Sequence, residues 1–521
     1  MRLGWLRPAR IAVALAMLGG LLVAFADFRG LVPVAFAHRL ASFQFVPSWV
    51  ALVTGPSLAV AGVIILLVTL LMGRVYCSAI CPLGILQDVL ARLARLVPGV
   101  PKRLRYSPGL PWLRHTVLWV GGAGILFGGA AFVLPLLDPY SLFGRIVSSL
   151  LRPLVTQANN ALVGPANAAG IDALYRVNLP WAGLGALALP VATLLLIGIL
   201  AVWRRRIYCN TLCPVGTLLG LIASRSIFRL KIDERACQKC GDCLDVCKAQ
   251  CIDLRTRKID FSRCVGCFNC LGICPQHGIG FRRPARARLP GVPAAAAKEP
   301  GLSRREFLSQ GGPLIAATAG TSIWRQAMGP SRSERLGPVV APPGASDIRR
   351  FLDRCTGCQL CISTCPTHVL RPAVLEYGLA GWMKPRLDYR QAFCNFDCNE
   401  CGQVCPDGAI VRMPLADKQL ARIGCAQLDL DRCVVKTKGN DCAACSEHCP
   451  TKAVYTVPYG NNLRLPRLDE SICIGCGGCE YACPAQPVKA IAVAGLNRHE
   501  RAEKRVEKKL QSPAANGDFP F

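Results

Sequence analysis

Two cysteine runs set close together constrain this chain more than anything else in it. The first is Cys237-Gln-Lys-Cys240-Gly-Asp-Cys243-Leu-Asp-Val-Cys247, and the second is Cys264-Val-Gly-Cys267-Phe-Asn-Cys270-Leu-Gly-Ile-Cys274-Pro275. The spacing C-x2-C-x2-C-x3-C wraps three thiolates of one loop around a 4Fe–4S cubane and sends the fourth to a neighbouring cluster. On that crossed rule Cys237, Cys240, Cys243 and Cys274 hold one cluster, and Cys264, Cys267, Cys270 and Cys247 the other. Gly241 and Gly266 stand where so tight a loop needs positive φ and backbone amides close to sulfide. Disulfide frameworks belong to short secreted domains, whereas this chain has 521 residues and long apolar stretches. Zinc sites use cysteines in two pairs and have no need of the x3 spacing. The chemistry is electron transfer.

The length allows three or four domains. A hydrophobic content of 52% beside 61 Lys and Arg points to membrane spans with basic flanks. The formal charge of +29 shrinks to roughly +17 once six clusters of about −2 each are counted. Because the basic residues gather beside apolar spans, they read as orientation signals, and nucleic-acid binding is not expected. Four apolar segments precede the first cluster motif, near residues 11–26, 50–73, 116–137 and 181–203. Arg2, Arg7 and Arg10 precede the first. Arg74, Arg92, Arg95, Lys102, Arg103, Arg105 and Arg114 follow the second, and Arg204, Arg205, Arg206, Arg225 and Arg229 follow the fourth. The positive-inside rule then sets the N-terminus, the 74–115 loop and the 237–274 clusters in the cytoplasm of a multi-pass protein of the bacterial inner membrane. The loops at 27–49 and 138–180 face outward. Gly121, Gly122, Gly124 and Gly128, inside the third span, read as a close helix-packing surface.

An internal repeat sits on this topology. Arg74-Val-Tyr-Cys77-Ser-Ala-Ile-Cys81-Pro82-Leu-Gly84 follows the second span, and Arg206-Ile-Tyr-Cys209-Asn-Thr-Leu-Cys213-Pro214-Val-Gly216 follows the fourth. In each, proline suits the first turn of a new helix, and the second cysteine lies at its N-terminus, where a thiolate is favoured. Three readings stand for Cys77, Cys81, Cys209 and Cys213: one four-thiolate redox or metal site, a redox-active thiol pair, or a structural role.

From about 282 to 302 the chain is an Arg-, Pro- and Ala-rich linker without periodicity. Ser303-Arg304-Arg305-Glu306-Phe307-Leu308 and the apolar run from Pro313 to Ile323 then have the layout of a Tat export signal, with possible cleavage near Ala317–Ala319. Four further groups follow: Cys355, Cys358, Cys361 and Cys365; Cys394, Cys398, Cys401 and Cys405; Cys433, Cys442, Cys445 and Cys449; and Cys473, Cys476, Cys479 and Cys483. Each ends in Cys-Pro, and each supplies four ligands, giving six 4Fe–4S clusters in the chain. The expected pairing exchanges fourth cysteines between the first and last groups and between the middle two. Cys251 and Cys425 fall outside the scheme and read as small buried hydrophobes. Residues beyond about 496 form a charged helix or tail. No C-x-x-C-H marks a c-type haem, and no P-loop or other nucleotide motif is present.

These features divide the chain into an α-helical four-span membrane domain (1–236), a cytoplasmic two-cluster module (237–281), a linker with the twin-arginine segment (282–345), an α+β ferredoxin-like four-cluster domain (346–495) and a tail (496–521). The four-span part, with two Tyr-Cys-x3-Cys-Pro-x-Gly loops, resembles the NapH family of the periplasmic nitrate reductase system. The part from Ser303, with Cys394-Asn-Phe-Asp-Cys398-Asn-Glu-Cys401, resembles the NapG family and its methylamine-utilization relatives. A fusion of the two implies a quinol dehydrogenase component that draws on the membrane quinone pool and feeds a periplasmic reductase or cytochrome, with 346–495 in the periplasm. A bilayer core about 30 Å thick is too wide for one electron hop, so a carrier or site within the membrane part is needed. Asp27, His38 and Asp138 near the outer face and His115 near the inner one are candidates for proton handling. The alternative class is metal-cofactor assembly or reduction, as in copper-oxidase maturation proteins that share C-x3-C-P but lack a second four-cluster domain. A nitrous-oxide-type regulator would need an FMN-binding outer domain, for which the 27–49 and 138–180 loops are too short.

Overall fold

The computed structural model describes residues 4–52, 56–99, 105–126, 135–170, 172–178, 183–283, 338–460 and 462–504. The twin-arginine segment at 303–323 lies outside them.

The described residues up to 223 are mainly helical: α1 Leu6–Ala26, α2 Val34–Ser42, α3 Phe45–Leu52, α4 Pro56–Met72, α5 Tyr76–Ala79, α6 Pro82–Leu93, α7 Pro111–Leu126, α8 Pro139–Ile146, α9 Arg152–Ala168, α10 Leu184–Arg204 and α11 Pro214–Ala223. The duplication is visible in this order. A long apolar helix, a one-turn helix bearing the first cysteine of C-x3-C-P, and a helix opening on proline occur as α4–α5–α6 and again as α10, the turn Tyr208–Leu212 and α11. Among the described residues, α1 and α10 are long and apolar enough to cross a membrane; α4 is a shorter apolar helix within the second expected span, and α7 overlaps only the first half of the third. Leu195, Ile199 and Trp203 of α10 stay exposed, an apolar face that water does not favour. Gly121 lets α7 approach Pro214 at the start of α11.

Several sequence expectations are corrected. Arg7 and Arg10 lie within α1 rather than ahead of it, because the helix begins at Leu6. The segments expected to be outer loops carry helices α2, α3, α8 and α9 among their described residues. The charged end is strand to residue 501, since alternate residues Ile491, Val493 and apolar neighbours give one buried face. The C-terminal domain also starts earlier than 346: Gly495 N donates to Pro338 O and Leu387 N to Val340 O.

Both cluster modules are built on antiparallel strand pairs. In the first, β1 Arg229–Ile232 pairs with β4 Ile279–Arg282, and β2 Ile252–Asp253 with β3 Lys258–Ile259. In the second, β5 Leu370–Pro372 pairs with β6 Pro385–Leu387, β8 Val454–Tyr459 with β9 Leu463–Leu468, and β7 Ala421–Leu428 with β10 Ile491–Arg501.

The modules sit at opposite ends of the helical unit, and buried arginines attach them. At one end Arg74 donates to Arg263 O, Arg114 to Ser262 O and Arg205 to Asp245 O, all in the first module. At the other end Arg152 spans from Asp27 O, past the end of α1, to Ile362 O and Ser363 O of the second module. Ser363 Oγ donates to Phe25 O, and Ser148 and Ser149 reach Gln359. Residues read as orientation signals thus also hold carbonyls in the interior, where an unpaired carbonyl is costly. The core runs continuously through the junctions, with Leu21, Phe25, Leu83, Phe143, Leu219, Phe351 and Leu360 fully buried.

Candidate iron–sulfur and thiol sites

In the first module the chain crosses itself as the spacing predicts. One cavity is lined by Cys237, Cys240, Cys243 and Cys274, and a second by Cys247, Cys264, Cys267 and Cys270. Gly241 (φ 96°) and Gly266 (φ 59°) take the positive φ expected of them. Cys251, outside the predicted ligand set, lines the second cavity as well, its Sγ 3.7 Å from that of Cys247. It is buried, as expected; Cys425 in β7 is only half-buried.

In the second module the structure overturns the expected pairing. After burial itself, the charges that raise the Cys361 thiol are Cys358, Cys355, Cys405 and Cys401, and those that raise Cys401 are Cys394, Cys365 and Cys398. Cys445 faces Cys442, Cys483 and Cys433, while Cys479 faces Cys476, Cys473 and Cys449. The first group therefore exchanges its fourth cysteine with the second, and the third with the fourth. The reason is local: helices Leu360–Thr364 and Glu400–Val404 pack together, as do Ala444–Glu447 and Gly478–Ala482. The two halves meet where Cys394 N donates to Cys476 O, 2.9 Å away.

The residues around these thiols suit an anionic cluster. Lys384 and Lys418 are buried, and each turns its Nζ to carbonyl oxygens, of Leu352 and of Asn395 and Phe396 respectively. Lys384 lowers the otherwise raised pKa of Cys355, and Lys418 that of Cys394. A buried ammonium needs compensating charge, which a cluster of about −2 supplies. Neither lysine carries a spacing signal, so the sequence reading missed them. Among the described residues no set of three or more His, Cys, Asp and Glu is drawn tightly enough for a lone metal ion; the first module's thiols stand around two cavities instead.

Between the modules, the structure brings Cys77, Cys81, Cys209 and Cys213 together. All four are buried, and after burial the neighbours Cys209, Cys77 and Cys213 push the Cys81 thiol up. Cys81 and Cys213 each cap the helix that opens on the following proline, and Cys213 Sγ accepts from Gly216 N at 3.3 Å. Gln87 Nε2 donates to Cys209 Sγ at 3.2 Å. The two repeats brace each other: Arg74 reaches Gly216 O and Asn210, and Arg206 reaches Cys77 O at 2.6 Å and Asp88. Gly84 and Gly216 are required because a Cβ would collide with the carbonyls of Cys77 and Cys209. Burial and the neighbouring thiols raise the pKa of Cys77, Cys81 and Cys213, beside the guanidinium groups of Arg74 and Arg206, a setting that suits the four-thiolate reading.

This thiol site is flanked on both sides. Ser78 Oγ donates to Gly266 O in the loop of Cys264 and Cys267. Toward the other module, Asp138 is buried within electrostatic reach of Cys213 and of Asp407, the latter beside Cys358 and Cys405. Asp138 is an N-cap: its carboxylate accepts from Tyr140 N, Ser141 N and Ser141 Oγ. Asp27 closes a turn through Arg29 N, Gly30 N and Val32 N, and His115 Nδ1 meets Pro111 O. Of the proton-handling candidates, His38 lines a cavity shared with Gln403 and Arg412.

Comparison with known proteins agrees with this partition. A family model described as a 4Fe-4S binding domain matches twice, at residues 54–101 and 185–233, the two C-x3-C-P repeats. A 4Fe-4S dicluster domain matches residues 354–410, the first two cysteine groups of the second module. The chain is 32% identical over 196 residues to the methylamine utilization ferredoxin-type protein MauM of Methylorubrum extorquens, covering 36% of this chain and 87% of that protein. It is 30% identical over 201 residues to the ferredoxin-type protein NapG of Haemophilus influenzae (36% and 70%), and 28% over 160 residues to NapF of Escherichia coli K12 (31% and 87%). No solved structure matches the chain.

Proposed function

This chain belongs to the ferredoxin-type 4Fe–4S proteins of the MauM and NapG kind, and from that premise we propose that it is a membrane-bound quinol dehydrogenase component passing electrons to a periplasmic oxidoreductase. Electron transfer is the activity of the family. The finer reading is a NapH-like four-span unit fused to a NapG-like domain, holding six clusters. The observation that carries it is the seating of one cluster module at each end of an apolar helical unit, with four buried thiols between them. The clusters would supply one-electron carriers, and the chain's own residues tie their modules to the helical unit: Ser78 and Gly266 join one end to the thiol site, and the 138–152 segment joins the other. A lipid-soluble two-electron donor suits such a row of one-electron centres.

Anaerobically purified protein is expected to hold about 24 iron and 24 sulfide per chain. A reduced quinol analogue should bleach the visible iron–sulfur absorbance and NADH alone should not. Iron reproducibly near eight, or reduction by NADH alone, would overturn the reading.

A further inference from the structure

We infer that quinol binds in the cavity between α2 and the helix Glu400–Val404, where Nε2 of His38 takes one of its protons. The inference rests on the quinol reading above and adds the place and the residues. The cavity measures about 520 Å³, within the range that encloses a small organic ring system. Its lining joins apolar Val34 and Met413 to His38, Arg39, Gln403 and Arg412, so donors stand ready for the oxygens of a quinone ring.

His38 is 9% exposed, and its Nε2 is buried without a hydrogen-bond partner. The other ring nitrogen decides what Nε2 is. Ser42 Oγ lies 3.3 Å from Nδ1 and spends its own hydrogen on His38 O at 2.8 Å. Nδ1 must therefore donate to Ser42, which leaves Nε2 as a bare acceptor. Burial and the charge of Arg412 bring its pKa down to about 4, so the ring is neutral when quinol arrives and passes the proton it takes on to water at the open mouth.

Position supplies the electron acceptors. Gln403 stands between Cys401 and Cys405, which face different cysteine sets, so the cavity abuts the helix shared by two clusters. Access suits a lipid-soluble ligand: Leu31, Phe36 and Phe43, on and around α2, are exposed apolar side chains. Oxidation of one quinol breaks two O–H bonds and gives quinone. One proton goes to His38 Nε2 and the other to water at the open mouth. The two electrons go singly to oxidised iron–sulfur clusters, the one-electron oxidants.

The test uses cluster-loaded full-length protein in nanodiscs and a photoactivatable quinone analogue. Cross-links are expected in peptides spanning 34–39 or 403–414, with competition by unlabelled quinone. His38→Gln should keep the cross-link while slowing bleaching by quinol about a hundredfold, the usual worth of a positioned base. Val34→Trp should abolish both, while dithionite still reduces every cluster and so shows an intact fold. Cross-links elsewhere, with normal quinol bleaching in both variants, would overturn this site and leave the quinol reading standing. Wild-type protein that quinol does not bleach would overturn the function itself and this site with it.

Discussion

Asp88 is the acid on which the junction with the first cluster module turns. It accepts from Arg206, which is fully buried, and from Lys248 of the first cluster module. Burial alone would raise its pKa, but Arg206 and then Lys248 outweigh that and bring it down to about 2. Burial wins at Lys248, whose pKa falls, so Arg206 is the stronger partner. Because the folded pKa lies below the ordinary one, this stabilisation is present above about pH 4 and is lost as pH falls through about 2. Asp88→Asn leaves Arg206 buried without a counter-charge and should cost about 3 kcal/mol in chemical unfolding at pH 7, a gap that narrows toward pH 2. Lys384 offers a redox counterpart. Replacing it with Met removes a cation beside Cys355, and at an effective dielectric near 20 this should lower that cluster's reduction potential by on the order of 100 mV. An EPR-monitored titration checks the sign and the size.

At the scale of elements, the pairing of short ligand helices decides which cluster each mutation touches. Cys405→Ser should disturb the cluster of Cys355, Cys358 and Cys361 and spare that of Cys394, Cys398, Cys401 and Cys365, as read by single-cluster EPR signals. The pairing expected from the order of the motifs predicts instead a signal change in the third group. A second contact lies on α8, where Gly144 is pressed by the carbonyl of Cys358 and the ring of Phe25. Gly144→Val should loosen the second module from the helices, slowing electron transfer while the iron count is kept. The C-x3-C-P turns form the remaining joint. Serine at Cys77, Cys81, Cys209 or Cys213 should impair transfer between the modules and leave the iron of all six clusters in place; wild-type turnover in all four variants would leave only a structural role.

For the whole molecule, the modules' opposite seats predict opposite compartments. Tags after residue 510 should react with an impermeant reagent at the outer face of intact cells, and tags at 282–300 should stay protected. Protection of both would mean that all clusters share one side. The predicted arrangement keeps the arginines that follow α4 and α10 inside, where moving them across would be costly. It also explains why basic residues concentrate at one junction: Arg74, Arg205 and Arg206 are buried there in contact with backbone and with Asp88.

Much of this was legible in the residues. The cluster motifs, the crossed ligands of Cys237–Cys274, the positive φ of Gly241 and Gly266 and the duplication around C-x3-C-P all follow from short-range spacing, because loop geometry and helix starts are local. What only the tertiary structure decided depends on which distant segments touch. Spacing cannot say that the second module's cysteine groups pair with their neighbours, since any two such groups satisfy the same rule. Nor can it pick His38 from the other candidates, because a buried nitrogen without a partner exists only once α2 has packed against the Cys401–Cys405 helix. Buried Lys384 and Lys418 were hidden for the same reason: a lysine looks solvated until the fold removes its water. The thiol site itself lay between the two cases, its cysteines marked by the repeat and their meeting decided by the cross-bracing of Arg74 and Arg206.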